Sequence, residues 1–426
     1  AVKDGKISEV GGKLGPAARD IDADGLLVTP GWVDIHTHYD GQATWDPMLA
    51  PSSDHGVTTI MFGNCGVGFA PARPEHRNAL IELMEGVEDI PGSALNEGLE
   101  WDWETFPDYL DALERRSRVI DVAAQVPHHA LRVYVMGDRA IRHERAAADD
   151  IEAMARSTEE ALRAGAFGFT TSRTDQHKTT AGELVPGRFS EPEELIGIAR
   201  GIGRAGTGAF GMVSDFDDEP AEFKWLNQVG KASGRPVWFL LTDRGYDPDR
   251  WRRLMKGVHS ARSGGVPMTA EVACRAVGLV LGLSTSLTPF SIRPGFKALD
   301  GLPKGQRLAK LREASVRDAI LNEPVSEALM DILPPLQRQI ATRWDRLYVL
   351  GDPPDYEPEA ERSVAALAAA AGQSPEAFAY DYLTGGDGER TFFFPVTNYV
   401  TGDYEPVREM MLDPATLLGL SDGGAH

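Results

Sequence analysis

The sequence predicts an α/β fold in which parallel strands and helices alternate, most simply a (β/α)8 barrel of the TIM type. From residue 31 onward, short apolar runs alternate with segments that carry apolar residues at helical spacing, a pattern typical of parallel sheets covered by helices. No Gly-x-Gly-x-x-Gly follows a candidate strand, which counts against the alternative of a doubly wound open sheet that binds a dinucleotide. The eight candidate strands are Trp32–Thr37, Thr58–Phe62, Val119–Val126, Ala166–Thr171, Ala209–Ser214, Val237–Thr242, Val266–Ala273 and Leu417–Ser421.

Residues 1–30 are predicted to form a small β-rich piece that precedes the barrel of residues 31–426. They contain short apolar runs and two Asp-Gly pairs, at residues 4–5 and 24–25, which favour tight turns between strands. A piece of this length is too short to bury a core of its own. The chain opens without Met inside what resembles a β-meander and stops just after an apolar strand. We therefore expect both ends to be truncated and the partner strands to lie outside them.

Helices are predicted between the strands, and a longer helical insertion is predicted between strands 7 and 8. Residues 149–162 carry apolar side chains at helical spacing, with Asp149 as the expected N-cap. The stretch at about 286–415 is too long for a barrel loop and includes residues 307–321, which are predicted to form one helix. Insertions at the carboxyl face of a barrel commonly form lids or substrate walls.

The composition is that of a soluble globular protein with an acidic surface. The 426 residues are 42% hydrophobic and 25% charged, and the net charge is −21. This charge argues against nucleic acid and anionic membrane surfaces as partners, and no apolar run is long enough to cross a bilayer. The two cysteines, Cys65 and Cys274, do not make a disulfide framework, so a cytoplasmic location is the simpler expectation.

A pair of histidines follows the first barrel strand, in the stretch Pro30-Gly-Trp-Val-Asp-Ile-His-Thr-His-Tyr-Asp40. Because residues two apart on an extended strand point to the same face, the imidazoles of His36 and His38 are expected to converge. Convergent imidazoles suit a metal ion. The alternative is that they are two polar residues that cap a strand.

Further metal-binding residue types follow other strands. Cys65 comes after strand 2 and Asp422 after strand 8, and in a barrel these ends share one rim. Imidazole, thiolate and carboxylate ligands favour a divalent transition metal, zinc first. Taken alone, Cys65 would be a small buried hydrophobe and Ser-Asp-Gly-Gly a turn, so it is their joint placement that favours a metal site.

Five more residues are candidates for additional ligands or for substrate binding: His128, Arg173, His177, Asp215 and Asn398. Arg173, after strand 4, could bind a substrate carboxylate with two hydrogen bonds, or it could form a structural ion pair. Asn398, in the predicted insertion, is a candidate for lining the pocket.

Three motifs resemble the amidohydrolase superfamily, and within it the D-aminoacylase (N-acyl-D-amino-acid deacylase) branch. They are Thr29-Pro-Gly-Trp-Val-Asp-Ile-His-Thr-His-Tyr-Asp40, Gly56-Val-Thr-Thr-Ile-Met-Phe-Gly-Asn-Cys-Gly66 and Gly419-Leu-Ser-Asp-Gly-Gly-Ala-His426. The His-x-His motif after a barrel strand is specific for the superfamily, and Gly-Asn-Cys-Gly for this branch. The resemblance implies a barrel with a small β-sandwich domain built from both chain termini, of which residues 1–30 would be one part.

The resemblance also implies a function and the residues that perform it. His36 and His38 match the strand 1 metal ligands, and Cys65 matches the thiolate that bridges the metal site in this branch. Asp422 matches the strand 8 aspartate, a metal ligand and the general base that activates water. The implied activity is hydrolysis of a C–N amide bond, most simply in an N-acyl-(D-)amino acid, with one or two zinc ions as cofactor.

The sequence departs from the branch at the ends of strands 5 and 6, where its members carry histidines. Here strand 5 leads into Asp215-Phe-Asp-Asp-Glu219, and residues 237–243 contain no imidazole. Three hypotheses follow. The metal is held by His36, His38, Cys65 and Asp422 only; or Asp215, His128, His129 or His177 substitutes as a ligand; or the barrel has lost hydrolase activity.

Three other functions compete with amide hydrolysis of an N-acyl amino acid. A cyclic-amide or lactone hydrolase of the same superfamily would use the same ligands. A non-catalytic barrel that binds small ligands would follow from the loss of the strand 5 and strand 6 histidines. A sugar-active barrel with paired carboxylates is suggested by Asp217-Asp218-Glu219, but it leaves the histidine pair and Cys65 unexplained.

Overall fold

A parallel sheet of eight strands forms the centre of the computed structural model. The structure describes residues 1–12, 14–244, 247–285, 287–325, 330, 333 and 335–425. In chain order the strands are β1 (Val2–Lys3), β2 (Lys6–Ile7), β3 (Trp32–Asp34), β4 (Val57–Phe62), β5 (Asp121–Pro127), β6 (Gly168–Arg173), β7 (Ala209–Ser214), β8 (Val237–Leu241), β9 (Met268–Val272), β10 (Val277–Leu281), β11 (Tyr348–Val349), β12 (Phe392–Thr397) and β13 (Thr416–Leu418). Strands β3 to β9 and β13 are barrel strands 1 to 8, which confirms the predicted (β/α)8 fold.

Helices fill the connections between these strands. They are α1 (Arg77–Glu88), α2 (Gly92–Gly98), α3 (Phe106–Glu114), α4 (His128–Met136), α5 (Asp138–Ile141), α6 (Ala148–Ala164), α7 (Pro192–Ala205), α8 (Glu219–Ser233), α9 (Arg250–Ser263), α10 (Pro294–Lys297), α11 (Lys304–Leu311), α12 (Ala314–Asn322), α13 (Pro335–Thr342), α14 (Val364–Ala371), α15 (Pro375–Thr384) and α16 (Glu405–Leu412). None of the described helices is long and apolar enough to span a membrane.

The curled sheet joins its first and last strands at the carboxyl end of the barrel. Thr37 forms a parallel bridge with Gly423. The His38 N–H donates to the Gly423 carbonyl at 2.7 Å, and the Asp422 N–H donates to the His36 carbonyl at 3.1 Å. This junction places the segment that carries the histidine pair directly beside the segment that carries Asp422.

The core lies between the sheet and its helices. Phe169, Phe210 and Phe239, on three neighbouring strands, are fully buried, and the rings of Phe169 and Phe210 are 5.3 Å apart. Parallel strands are covered on both faces, which is why these strands read as nearly continuous apolar runs. Each such side chain contributes on the order of 2 kcal/mol of burial free energy, so the rim rests on a rigid scaffold.

The segment between β9 and β13 builds a second apolar core around a three-stranded antiparallel sheet of order β10-β12-β11. Phe392 and Phe394 are fully buried in this core. The end of β12 lies against the barrel rim, because the Asn398 N–H donates to the Asp243 carbonyl at 2.9 Å. The stretch 307–321 is not the single helix that the periodicity predicts. It divides into α11 and α12, because Glu313 is extended and starts the second helix.

The amino-terminal region also differs in detail from the prediction. Within the described part of residues 1–30, the regular structure is one exposed hairpin, β1 paired with β2. The expected N-cap Asp149 is wrong, because helix α6 begins at Ala148 and its N-cap is Ala147. Instead, the carboxylate of Asp150 accepts the Ala147 N–H at 2.8 Å, so the acidic cap acts from inside the first turn.

Candidate metal centre

The histidine pair lies just beyond β3 and is fully buried. Between them, Thr37 is anchored to β4, since its N–H and its hydroxyl both donate to the Met61 carbonyl, at 3.0 and 2.9 Å. The rings of His36 and His38 therefore project together, with centroids 5.5 Å apart. This is the convergence that the two-residue spacing predicts.

Cys65 enters the same space from the end of β4. It lies in a tight turn, Asn64–Gly66, with a left-handed backbone conformation (φ 55°). The Asn64 side chain holds this turn against strand 1, because its Nδ2 donates to the Thr37 and Met61 carbonyls at 3.3 and 3.0 Å. Cys65 Sγ consequently lies 3.4 Å from His36 Nε2. Burial raises the pKa of the Cys65 thiol to about 12, although the nearby His36 opposes that rise.

Asp422 completes the arrangement from the end of β13. Its Oδ1 lies 3.8 Å from His36 Nε2 and 3.6 Å from His38 Nε2. Its Oδ2 faces Arg275 Nη2 at 3.9 Å, and the same guanidinium donates to the Leu420 and Ser421 carbonyls. Burial alone would raise the pKa of Asp422, but His38, His36 and Arg275 together hold it well below its usual range.

The four side chains have the dimensions of a metal cage. The donor atoms of His36, His38 and Cys65 lie within 4.8 Å of one another. Cys65 Sγ lies 3.4 Å from His36 Nε2, and Asp422 Oδ1 borders this cluster at 3.6 and 3.8 Å from the two imidazoles. Zinc bonds of 2.0 to 2.3 Å in a tetrahedron separate neighbouring ligand atoms by about 3.3 to 3.8 Å. The donor set also fits a transition metal, since it combines imidazole, thiol and carboxylate.

Two buried glutamates stand behind the histidines, and the sequence reasoning missed both. Glu271 lies 3.0 Å from His36 Nδ1, and Glu88 Oε1 lies 3.3 Å from His38 Nδ1. Burial and then the charge of Asp422 raise the pKa of Glu88 well above its usual value. For His36, burial lowers the pKa, but Glu271 and Cys65 outweigh burial and raise it. Acidic groups thus surround two imidazoles, which favours a bound cation.

The position of Glu271 carried a signal in the sequence, whereas that of Glu88 did not. Glu271 interrupts the apolar strand Met268–Val272 and is 2% exposed, and a charge in a buried strand requires a partner. Glu88 is the last residue of α1, where a glutamate is ordinary on a solvent-facing surface.

Among the five further candidates, His177 is the one that lies close enough to the cluster for the charges of His36, His38 and Asp422 to act on its pKa. Ser172 Oγ lies 2.8 Å from its Nδ1. Burial, followed by the charge of His38, lowers the pKa of His177 to about 4, while Asp215 and Asp422 act in the opposite direction. The side chain is therefore a neutral imidazole beside the histidine pair at neutral pH.

The side chains of His128 and Arg173 have other partners. Both ring nitrogens of His128 are engaged, Nδ1 with Thr171 Oγ1 at 2.7 Å and Nε2 with Glu194 Oε1 at 2.9 Å. The Arg173 guanidinium pairs with Glu222 at 3.1 Å. Neither side chain belongs to the His36–His38–Cys65 cluster that the described residues form.

Asp215 and Asn398 also lie in local networks outside that cluster. Asp215 accepts hydrogen bonds from Thr174 Oγ1 at 2.9 Å and Arg244 Nη1 at 3.1 Å. Asn398 Oδ1 accepts the Asp243 N–H at 2.9 Å, so this side chain joins the end of β12 to the end of β8.

The strand 5 and strand 6 side of the barrel interior is filled by an indole. A Cβ on Gly211 would lie 2.2 Å from Trp238 Cζ2, so the strand 5 position opposite the indole admits only glycine. The Trp238 ring lies 6.2 Å from the His36 ring. An apolar wall therefore stands next to the cluster on the side where strands 5 and 6 contribute no histidine.

The fold is a parallel α/β barrel with a cluster of potential metal ligands at one rim, and comparison with known proteins identifies its family. The chain matches the model of the amidohydrolase family over residues 19–426, and it belongs to that family. It is 33% identical over 207 residues to D-aminoacylase of Alcaligenes xylosoxydans xylosoxydans, a match that covers 48% of this chain and 38% of that protein. The chain thus spans well under half of this relative, whose identity confirms the resemblance to the D-aminoacylase branch.

Two further comparisons bear on the fold and on the range of relatives. A solved N-acyl-D-glutamate deacylase from Bordetella bronchiseptica, complexed with zinc and a phosphonate inhibitor, superposes with a TM-score of 0.52 at 21% identity. That match covers 92% of this chain and 65% of the other, and it confirms the fold. D-hydantoinase of Ralstonia pickettii is 59% identical over 65 residues, which are 15% of this chain and 13% of that protein.

Proposed function

We propose that the protein hydrolyses a C–N amide bond of a small N-acyl amino acid at a divalent metal site, with zinc as the favoured ion. The observation that carries the proposal is the cage, in which donors from strands 1, 2 and 8 meet at distances of 3.4 to 3.8 Å. Packing alone gives no reason for three strand ends to bring imidazole, thiol and carboxylate together in this way.

His36, His38, Cys65 and Asp422 would hold the ion. Their donor atoms face one another, while the second nitrogens of both imidazoles face carboxylates. A divalent ion supplies Lewis acidity to such a site, which lowers the pKa of a water molecule to about 7 and polarises a carbonyl.

Asp422 is the proposed proton carrier. Its Oδ1 faces the imidazoles and its Oδ2 faces Arg275, so the carboxylate is held in one orientation and ionised at neutral pH. It accepts the proton of the attacking water at a carboxylate oxygen and then donates that proton to the leaving nitrogen. A general base that becomes a general acid in this way contributes about 10² to 10⁴-fold to turnover.

The substrate class follows from the relatives. D-aminoacylase and N-acyl-D-glutamate deacylase are both named for N-acyl-D-amino acids, so we propose that stereochemistry for this chain as well. The imidazole of His177, neutral and beside the cluster, is the residue we propose for contact with the substrate or as an additional ligand. A cytoplasmic location remains our prediction.

A second candidate is hydrolysis of a cyclic amide. The 59% identity to D-hydantoinase over 65 residues favours it, and the same ligands and base would serve both reactions. The match covers 15% of this chain, which is why we rank linear N-acyl amino acids first. A panel of N-acyl-D-amino acids, N-acyl-L-amino acids and hydantoins distinguishes the two, since the preferred class gives the largest kcat/KM.

The sharpest test of the proposal is Asp422→Asn. Because an amide cannot accept the proton, we expect kcat to fall by about 10³-fold, while the protein stays folded and binds close to the wild-type amount of metal. Asp217→Asn is the matched control, since Asp217 is an exposed aspartate on the same barrel rim and its loss should leave kcat unchanged. Wild-type turnover in Asp422→Asn would remove the proposed base.

Metal analysis of the purified protein tests the site itself. We expect about one equivalent of a divalent transition metal per chain, since one set of donors converges. A protein with neither metal nor hydrolytic activity toward the panel would instead be the non-catalytic ligand-binding barrel.

A further inference from the structure

Each histidine of the candidate metal centre has a buried glutamate behind it. We propose that Glu271 and Glu88 are positioning residues, which hold the rings of His36 and His38 with one nitrogen aimed at the metal and so set the affinity and geometry of the site. This inference rests on the proposed metal-dependent function and adds two residues to its machinery.

Glu271 is positioned behind His36 by two strands. Both of its carboxylate oxygens lie 3.0 Å from His36 Nδ1, and its side chain is almost wholly buried near the end of β9. A Cβ on Gly419 would lie 2.1 Å from Glu271 Oε1. The segment that follows β13 therefore leaves room for this carboxylate only because residue 419 is glycine.

This contact decides which nitrogen of His36 faces the cage. A carboxylate oxygen accepts hydrogen bonds, so the contact with Glu271 directs the Nδ1–H of His36 away from the cage. In the neutral imidazole the lone pair is then on Nε2, which lies 3.4 Å from Cys65 Sγ and 3.8 Å from Asp422 Oδ1. Without the glutamate, both the tautomer and the ring rotation would be free to change.

Glu88 makes an equivalent contact from an unrelated element. It is the buried last residue of α1, and its Oε1 lies 3.3 Å from His38 Nδ1. The opposite nitrogen, Nε2, faces Asp422 Oδ1 at 3.6 Å. A helix end and a strand thus supply the same arrangement independently to two adjacent ligands, and both carboxylates occupy the side of the ring that faces away from the cage.

The molecule contains a His–Glu pair of the opposite kind, which serves as an internal reference. His128 Nε2 binds Glu194 at 2.9 Å, and both side chains are buried. The other nitrogen of His128 binds the Thr171 hydroxyl at 2.7 Å, so this imidazole offers no lone pair to a metal. If Glu271 and Glu88 served only to satisfy buried imidazoles, the second nitrogens of His36 and His38 would also be expected to have hydrogen-bond partners of this kind.

The experiment compares Glu271→Gln and Glu88→Gln with the control Glu194→Gln. Each protein is stripped of metal, and its Zn²⁺ affinity is measured by competition with a chromogenic chelator. The Co²⁺-loaded forms are compared by visible absorption, whose ligand-field bands report ligand geometry. We expect each positioning variant to bind Zn²⁺ about 10 to 100-fold more weakly and to show altered Co²⁺ bands. Glu194→Gln should lower the melting temperature but keep wild-type affinity and bands.

The outcomes separate this inference from the function on which it rests. Wild-type Zn²⁺ affinity and Co²⁺ bands in both positioning variants would overturn the inference alone. A wild-type protein that binds no divalent metal would overturn the proposed function and the inference together. If Glu271→Gln does not fold, Glu271→Asp is the alternative variant. It keeps the carboxylate but shortens the side chain by one methylene, so the carboxylate lies farther from His36 and weakened Zn²⁺ binding is again expected. Unchanged binding in that variant contradicts the role of Glu271.

Discussion

The two halves of the barrel rim use similar residue types for different purposes. At the ends of strands 1, 2 and 8, the side chains of His36, Cys65 and Asp422 turn toward one another, and the site is closed by buried acids. At the ends of strands 5 and 6, Asp215 pairs with Arg244, and the carboxylate of Asp243 is buried away from the cluster.

The difference teaches that an aspartate at a strand end is not in itself a ligand. Asp422 is held in a left-handed backbone conformation (φ 56°) that presents its Oδ1 to two imidazoles. Asp215 instead accepts hydrogen bonds at Oδ1 from the Arg244 guanidinium and the Thr174 hydroxyl, and at Oδ2 from the Asp175 N–H, so both of its oxygens are occupied. The neighbouring partners, rather than the residue type, therefore determine whether such a carboxylate is available to a metal.

The largest expected effect is on Zn²⁺ affinity at the ends of strands 1, 2 and 8. Cys65→Ser removes the soft thiolate, and we expect Zn²⁺ affinity to fall by at least about 100-fold, or about 3 kcal/mol. Added Zn²⁺ should then no longer raise the melting temperature. Cys274→Ser is the control, because Cys274 is the exposed cysteine. Equal affinities in the two variants would mean that Cys65 is only a packed hydrophobe.

A smaller effect is expected at the end of strand 6, where removing a buried charge should stabilise the protein. Among the described residues, the two oxygens of Asp243 have no hydrogen-bond partner, and burial raises the pKa of Asp243 to about 6. The folded protein therefore holds a proton that the unfolded chain has already lost above pH of about 4. Stability falls as pH rises from about 4 to about 6, and it remains reduced above that range.

Asp243→Asn should remove this penalty. At pH 7 we expect its free energy of unfolding to exceed that of the wild type by on the order of 1 to 3 kcal/mol, with the difference vanishing below pH of about 4. Urea unfolding at several pH values measures it, and Asp249→Asn, at an exposed position on the next helix end, is the control. A variant that is less stable than wild type at pH 7 would show that the carboxylate is satisfied.

The smallest effect is expected from Asp215→Asn. Its partners hold the pKa of Asp215 below the usual value, although burial opposes them, so its stabilising contribution is present at neutral pH and is lost on acidification. We expect a loss of about 1 to 2 kcal/mol at pH 7 from the weakened contact with Arg244, measured by urea unfolding. Metal content should not change. A drop in bound metal would instead make Asp215 a ligand.

Much of the fold was predictable because strand alternation is a local property. All eight predicted barrel strands occur, and β7 has the bounds that the apolar run indicates. Helix boundaries in the segment between β9 and β13 were less predictable, since the division at Glu313 depends on one extended residue. The sequence pattern of residues 325–341 also predicts a helix. This stretch lies partly outside the described residues, which include α13 at its end.

The metal-donor side chains of the candidate site were predictable from the sequence, but the glutamate contacts behind the histidines were not. The spacing of His36 and His38 is enough to make their rings converge, because it depends only on the period of a strand. The contacts of Glu88 and Glu271 depend on how a helix end and a distant strand pack behind those rings. No local pattern encodes that packing.

The sequence by itself determined which metal-binding side chains stand at the ends of strands, because residue type and strand period are local. Only the tertiary structure decided which of them meet. The Ser421 hydroxyl reaches the His36 carbonyl across 385 residues of chain, and the junction between the first and last strands carries Asp422 to the histidines. The same folding turns Asp215 toward an arginine, because a buried carboxylate must find a cationic partner or remain unsatisfied.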